Sequence, residues 1–206
     1  MVRMDVWGQG AVFAFSGLES KTDFDSQLVG SLLGDHPGVR FAAPHPFELY
    51  MGTSGVADLI WEIVASDIVL GKALIDDKWM KVCFAFRSNA SLVGICPPGR
   101  LRLVFDSENA DPAVSLTTVD APDGCRFCLS LEETAECDPR EIEEIIGKRA
   151  AFYDRFQPRN PDENVAKAYL HAVSVMKSQV CSPEGVFRHL WTTPDRYPHR
   201  KLWLWD

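Results

Sequence analysis

The spacing of hydrophobic and polar residues divides the chain into a part with the alternation of β-strands and a part with the period of helices. Between about residue 10 and residue 132, short runs alternate in the way expected of β-strands with one buried face. In residues 57–65, Leu59, Trp61 and Ile63 fall on one face of the predicted strand. Further runs cover residues 81–87, 101–105, 114–118 and 125–132, and the first of these is apolar on both faces, as in a central strand. Turn-forming Pro, Gly, Asn and Asp residues separate the runs, so the sequence predicts an antiparallel β-sandwich, with 21–34 as either a short helix or a long loop.

The period changes to that of a helix at Asp138. The order Asp138-Pro139-Arg140-Glu141 combines an N-cap, a proline in the first turn and a following acid. The apolar residues that follow recur with helical spacing: Ile142, Ile145, Ile146, Phe152, Tyr153 and Phe156. A second start signal at 160–163 precedes another apolar stripe of the kind that faces a core: Val165, Tyr169, Ala172, Val173, Met176 and Val180. The sequence therefore predicts a mainly β N-terminal domain over 1–137 and a helical segment over 138–206.

Composition and charge exclude several functions. The net charge of −8 repels phosphate backbones, and no apolar run reaches the roughly 18 residues of a membrane span, so neither nucleic acid nor a membrane is an expected partner. The first residues lack the apolar stretch of a secretory signal, and the six cysteines are expected to be reduced thiols of a cytoplasmic protein. The five histidines lack metal-binding spacing, and Cys125 and Cys128 would point to opposite faces of one strand, so no metal or other cofactor is expected.

The last sixteen residues are unusually aromatic. Tyr197, Trp203 and Trp205 lie among basic residues and precede Asp206. Aromatic faces stack on pyranose rings, and a carboxyl group among apolar rings has a raised pKa, which suits a general acid. The alternative is a tryptophan-rich packing segment with Asp206 as a helix N-cap. Because a chain end is normally polar, we expect the native sequence to continue beyond this point.

The segment WTTPDRYPHRKLWLWD resembles the stretch that enters the (α/α)6 barrel of six-hairpin glycosidases, and it is most similar to glycoside hydrolase family 63. The resemblance covers roughly residues 164–206, while the first 137 residues match in architecture. It implies that the chain is a β-sandwich followed by the start of an (α/α)6 barrel, here truncated. It also implies that Asp206 is the general acid, and that Trp205, Trp203, Tyr197 and Arg200 bind a carbohydrate substrate.

These glycosidases invert configuration and need a second carboxylate as general base. In the family this base is a Glu late in the barrel, a region that these 206 residues lack, so we expect the chain to be inactive by itself. The expected function is the N-terminal part of an inverting glycoside hydrolase acting on an α-glucoside or a related small glycoside. The alternative is a non-catalytic β-sandwich module that binds carbohydrate or a partner. Expected protein contacts are the missing C-terminal barrel or self-association through the aromatic end.

Overall fold

A computed structural model describes residues 11–23, 27–34, 36–43, 46–105, 114–132, 136–156, 158–159, 162–194 and 196. Within them the chain is mainly β, with two helices. The strands are β1 (Val12–Ala14), β2 (Val29–Leu32), β3 (Gly38–Ala43), β4 (Phe47–Met51), β5 (Asp58–Val64), β6 (Ile68–Ile75), β7 (Lys78–Ser88), β8 (Ser91–Cys96), β9 (Leu101–Phe105), β10 (Ser115–Ala121), β11 (Gly124–Ser130), β12 (Val180–Cys181) and β13 (Trp191–Thr192). The helices are α1 (Pro139–Asp154) and α2 (Glu163–Gln179).

The strands form two large antiparallel sheets and one short pair. One sheet has the order β1-β2-β3-β4-β9, the other the order β10-β11-β8-β7-β6-β5, and β12 pairs with β13. The sequence predicts a short helix or a long loop over 21–34, whereas the structure has the strand β2 in that stretch. Four-residue strands such as β2 carry too few alternations to be recognised from a pattern alone.

The main core lies between the two large sheets and is rich in phenylalanine. Its fully buried aromatic residues are Phe13, Phe15, Phe41, Phe47, Phe84, Phe86 and Phe127. The rings of Phe13 and Phe86, from different sheets, have centroids 4.8 Å apart. The predicted β-sandwich is thereby present in coarse form, and its two sheets are joined by apolar burial.

Helix α1 forms a third layer on the outer face of the six-stranded sheet, whereas α2 packs beside β1 and the turn between β5 and β6. Ile142, Ile146 and Tyr153 of α1 pack against outward-facing residues of that sheet such as Ala85 and Val93. Asp138 is the N-cap of α1, and its carboxylate accepts a hydrogen bond from the Arg140 backbone N–H at 2.8 Å. The predicted start and buried stripe of α1 are confirmed. Neither helix is long and apolar enough to cross a membrane, within the part of the chain that the structure describes.

The prediction for α2 was wrong in its buried face. The cap is Asp162, which lies within the predicted start signal at 160–163, and its carboxylate is 2.9 Å from the Asn164 backbone nitrogen. Val165, Tyr169 and Met176, which belong to the predicted core-facing stripe, are exposed, and Met176 is 71% exposed. The buried face carries mainly small and polar residues instead: Ala166, Leu170, Ser174, Lys177 and Ser178. The start of an (α/α)6 barrel is not evident from these two helices.

Two glycines allow a matched test of the sandwich core. A Cβ atom added to Gly94 of β8 would lie 2.1 Å from the Cys83 carbonyl oxygen and 2.4 Å from a Phe127 ring atom. We therefore expect Gly94→Ala to destabilise the fold by about 1–3 kcal/mol, measured by urea unfolding. Nothing lies within 4 Å of a Cβ atom added to Gly147 of α1, so Gly147→Ala should stabilise by roughly 0.5–1 kcal/mol. Equal effects of the two substitutions would contradict the close strand packing.

Candidate functional site

The five residues that the sequence assigns to a sugar site lie outside the described residues. They are Asp206, Trp205, Trp203, Tyr197 and Arg200. The described residues do include the stretch that leads to them, and Arg196 is its last member. The geometry of this stretch shows how the rest of the protein holds the start of the aromatic segment.

Arg196 is a buried anchor for the start of the aromatic segment. Its side chain is completely buried. The guanidinium donates hydrogen bonds to the carbonyl oxygens of Phe15 at 2.7 Å and Ser178 at 2.6 Å, and to Gln27 Oε1 at 3.3 Å. Phe15 and Gln27 belong to the sandwich part of the chain, whereas Ser178 is in the last turn of α2. One side chain thus fixes the segment to both layers of the protein.

Trp191 has a packing role at the beginning of the same stretch. It lies in β13, which pairs with β12 directly after α2. Its indole Nε1–H donates to the Ser182 carbonyl oxygen at 2.9 Å, and its ring stacks on Phe187 with centroids 4.8 Å apart. For this tryptophan, the first of the terminal aromatic run, the packing interpretation is the correct one.

A mainly apolar groove of about 540 Å³ lies beside this anchored stretch. Its lining comes from α1, from the C-terminal half of α2 and from the residues just before Arg196. The residues that line it include Phe152, Phe156, Val173, Met176, Val180 and Pro194. A volume of this size is typical of ligand pockets and of grooves that accept a side chain or helix. The groove therefore places an open apolar surface next to the point where the aromatic segment begins.

A buried ion cluster lies where α1 and α2 meet the sandwich. Asp67, in the turn between β5 and β6, accepts a hydrogen bond from Lys177 Nζ on α2 at 2.6 Å. The same ammonium lies 2.7 Å from Glu19 Oε1, and Arg149 of α1 lies 2.5 Å from Glu19 Oε2. Tyr153 donates its hydroxyl hydrogen to Asp67 Oδ1 at 2.5 Å. Two cations and two carboxylates thus neutralise one another, with the phenol closing the network.

Burial and charge shift the ionisation of two cluster members. Burial opposes ionisation of Glu19, but hydrogen bonds and charges from Lys177 and Arg149 outweigh it, so the pKa of Glu19 is lowered. Burial, followed by the nearby Asp67 carboxylate, raises the pKa of Tyr153 well above its ordinary value. A carboxyl group whose pKa is lowered by folding stabilises the fold at pH values above its pKa in the unfolded chain. That stabilisation is lost as the pH falls through its pKa in the folded chain. Acidification should therefore weaken this cluster through Glu19.

The polar buried face of α2 is satisfied by the sandwich. The Ser66 backbone N–H donates to Ser174 Oγ at 2.7 Å, and Ser66 Oγ donates to the Ser174 carbonyl oxygen at 2.5 Å. Ser16 Oγ donates to the Lys177 carbonyl oxygen at 2.6 Å. Small serine side chains let the helix approach the strand ends closely enough for these bonds. This explains why a face with little hydrophobic character is the buried one.

The cysteines form no metal site among the described residues. Cys125 and Cys128 lie in β11 and point to opposite faces, as predicted. Cys125 lies opposite Cys96 of the main core in the strand register, and Cys128 packs in the cluster that contains the helices. Burial raises the pKa of Cys125 to about 11 and that of Cys96 to about 12, which suppresses the reactive thiolate. No group of three or more His, Cys, Asp or Glu side chains in the described part of the chain could hold a metal ion.

Comparison with known proteins finds no relative: no family model, curated protein or solved structure matches this chain. A functional assignment therefore depends on geometry and on the resemblance of the terminal segment. Sequence reasoning missed Asp67, Lys177, Arg149 and Arg196 as organising residues. The one available signal was a lysine on the small-residue face of α2, and the sequence does not identify partners that are more than a hundred residues away.

The ion cluster can be tested by removing one charge. Asp67→Asn leaves the Lys177 ammonium buried with a single carboxylate partner, and we expect a loss of about 3–5 kcal/mol in the free energy of unfolding. The exposed Asp58→Asn serves as the matched control and should change it by less than about 0.5 kcal/mol. Lys177→Met should be less destabilising in the Asp67→Asn background than in the native sequence, because the two charges are coupled. Additive effects would contradict the pairing.

Proposed function

We propose that this chain is the N-terminal part of an inverting glycoside hydrolase that acts on an α-glucoside or a related small glycoside. The observation that carries the proposal is the buried anchor at Arg196, which joins the start of the aromatic segment to the sandwich and to α2. A catalytic segment must be held in place by rigid elements to position its reacting groups. The segment that resembles the glycosidase motif begins at such a support.

In this proposal Asp206 donates the proton to the glycosidic oxygen. Trp203 and Trp205 exclude water around the carboxyl group, which raises its pKa and keeps it protonated near neutral pH. Tyr197 and Arg200 bind hydroxyl groups of the sugar. The second carboxylate of an inverting pair, about 6.5–9.5 Å from the acid, activates water and is supplied by a part of the barrel that these 206 residues do not contain. The chain alone is therefore proposed to be inactive.

The exposed face of α2 is suited to contact an additional helix. Val165, Tyr169, Ala172 and Met176 recur at intervals of four, three and four residues, which is the spacing of a helix–helix seam. The three larger residues are exposed, and Met176 also lines the apolar groove. An additional helix, such as one from an (α/α)6 barrel, would bury this seam. The sandwich would then act as a support on which the barrel assembles.

The role of Asp206 is tested with the product of the complete reading frame to which this chain belongs. We expect hydrolysis of an α-glucoside, and we expect Asp206→Asn to lower kcat by about 10²–10⁴-fold. Asp154→Asn, at the exposed C-terminal end of α1, is the matched control and should leave kcat unchanged. A loss of only a few-fold for Asp206→Asn would show that this residue is not the general acid.

A second candidate function is a non-catalytic β-sandwich module that binds a partner through α2. The exposed apolar seam favours it, because large exposed apolar patches mark interaction sites.

If the partner is a second copy of the chain, this alternative predicts concentration-dependent self-association of the 206 residues in sedimentation velocity. Met176→Lys, which places a charge in the seam, should shift the chain to monomer, whereas Val119→Lys on the outer strand β10 should not. A wild-type chain that stays monomeric at all concentrations would argue against association through α2.

A further inference from the structure

The helices leave part of the outer face of the six-stranded sheet uncovered. Asp58 of β5, Leu74 of β6 and Trp79 of β7 are register partners across three adjacent strands. Register partners in antiparallel strands point to the same face. Lys72 and Lys81 form the next row on that face, and we call these five residues the Trp79 platform. Farther along the same strands, the face is covered by α1.

Trp79 is an exposed aromatic residue held on a rigid strand. It is 46% exposed, whereas Trp61 on the opposite face of the same sheet packs against the main core. Its strand pairs with β6 through a two-residue turn, Asp76-Asp77, in which both residues have positive φ of 48° and 60°. This turn fixes the register that sets Leu74 beside the indole. The ring therefore offers a fixed apolar face rather than a mobile loop side chain.

Each ammonium group near the indole is paired with a carboxylate. Lys72 Nζ lies 3.0 Å from Glu62 Oε1, and Lys81 Nζ lies 2.7 Å from Glu143 Oε2 of α1. Asp58 adds an exposed carboxylate that also accepts a hydrogen bond from the Leu59 backbone N–H. A polyanion would be repelled by the carboxylates, and a polycation would be repelled by the ammonium groups. A neutral ligand with many hydroxyl groups is complementary to both, because a hydroxyl donates to carboxylates and accepts from ammonium groups.

We propose that the Trp79 platform binds a hexopyranose ring of a neutral oligosaccharide. The C–H face of the ring stacks on the indole, and its hydroxyl groups bond to Asp58, Lys72 and Lys81. This site is separate in sequence from Asp206 and does not depend on the general-acid role of that residue. A carbohydrate ligand agrees with the proposed hydrolase, for which the platform would hold substrate without cleaving it.

The test is a titration of the 206-residue chain with maltoheptaose, and separately with cellohexaose, followed by ¹H–¹⁵N spectra. The six tryptophans give six indole N–H signals, and the signal that Trp79→Phe removes belongs to Trp79. We expect that signal to shift saturably with at least one of the two sugars. Trp79→Ala, followed through the backbone amide signals of β6 and β7, should weaken binding by at least about fivefold, consistent with the loss of one stacked aromatic contact.

Two control variants separate binding at Trp79 from binding at another exposed aromatic residue and from the proposed catalytic role of Asp206. Tyr169→Ala removes an aromatic side chain that is also exposed, on α2, and it should leave the affinity unchanged. Asp206→Asn should also bind the sugar normally, so that failure of the glycosidase assignment and failure of this site are distinguishable. Absence of saturable binding, unchanged affinity in Trp79→Ala, or binding that shifts only other indole signals would each overturn the proposal. If Trp79→Ala does not fold, retention of affinity by Trp79→Lys in a folded chain would overturn it equally.

Discussion

The pairing of Lys177 with Asp67 is the interaction on which the arrangement of layers depends. It joins the buried face of α2 to the turn between β5 and β6, at 2.6 Å and with both side chains almost completely buried. Glu19 and Arg149 complete the charge balance and bring in the N-terminal segment and α1. A buried charge without a partner is strongly destabilising, so the helices and the sandwich constrain one another through this cluster. The C-terminal half of α2, which also lines the apolar groove, is held at its position by the same contacts.

Hydrophobic periodicity predicted much of the sandwich but not the orientation of α2. The predicted strands at 81–87 and 101–105 lie within β7 and β9, and Asp138 caps α1 as the sequence indicates. Alternation reports burial where one face of a sheet is exposed, as in β9, whereas a run that is apolar on both faces, as at 81–87, indicates a strand covered on both sides. In α2 the apolar residues lie on the exposed side, since hydrogen bonds of Ser174 and the charge of Lys177 fix the opposite side to the sandwich. A stripe shows that a helix has two unlike faces, but it does not show which face has a partner in the same chain.

The proposed sugar site could be inferred only from residue types and resemblance. Trp203, Trp205 and Asp206 form the chemically suggestive part of the segment, and the structure describes the support rather than these residues themselves. Arg196 was not distinguishable in the sequence from the other basic residues nearby, because its role comes from two backbone carbonyls and an amide that the fold brings together. The exposed seam of α2 and the anchored start of the segment lie beside the same groove through Met176 and Pro194. The groove therefore adjoins both surfaces on which the two proposed functions depend, the anchored start of the aromatic segment and the exposed face of α2.

The buried cluster should make the helices and the sandwich one cooperative unit, although the sequence divides them near residue 137. Native-state hydrogen exchange at low denaturant concentrations measures this directly. We expect amides in the middle of α2 to exchange with the same opening free energy and denaturant dependence as amides in β7. Exchange of α2 through a separate opening of clearly lower free energy, with β7 still protected, would contradict the coupling of the two layers.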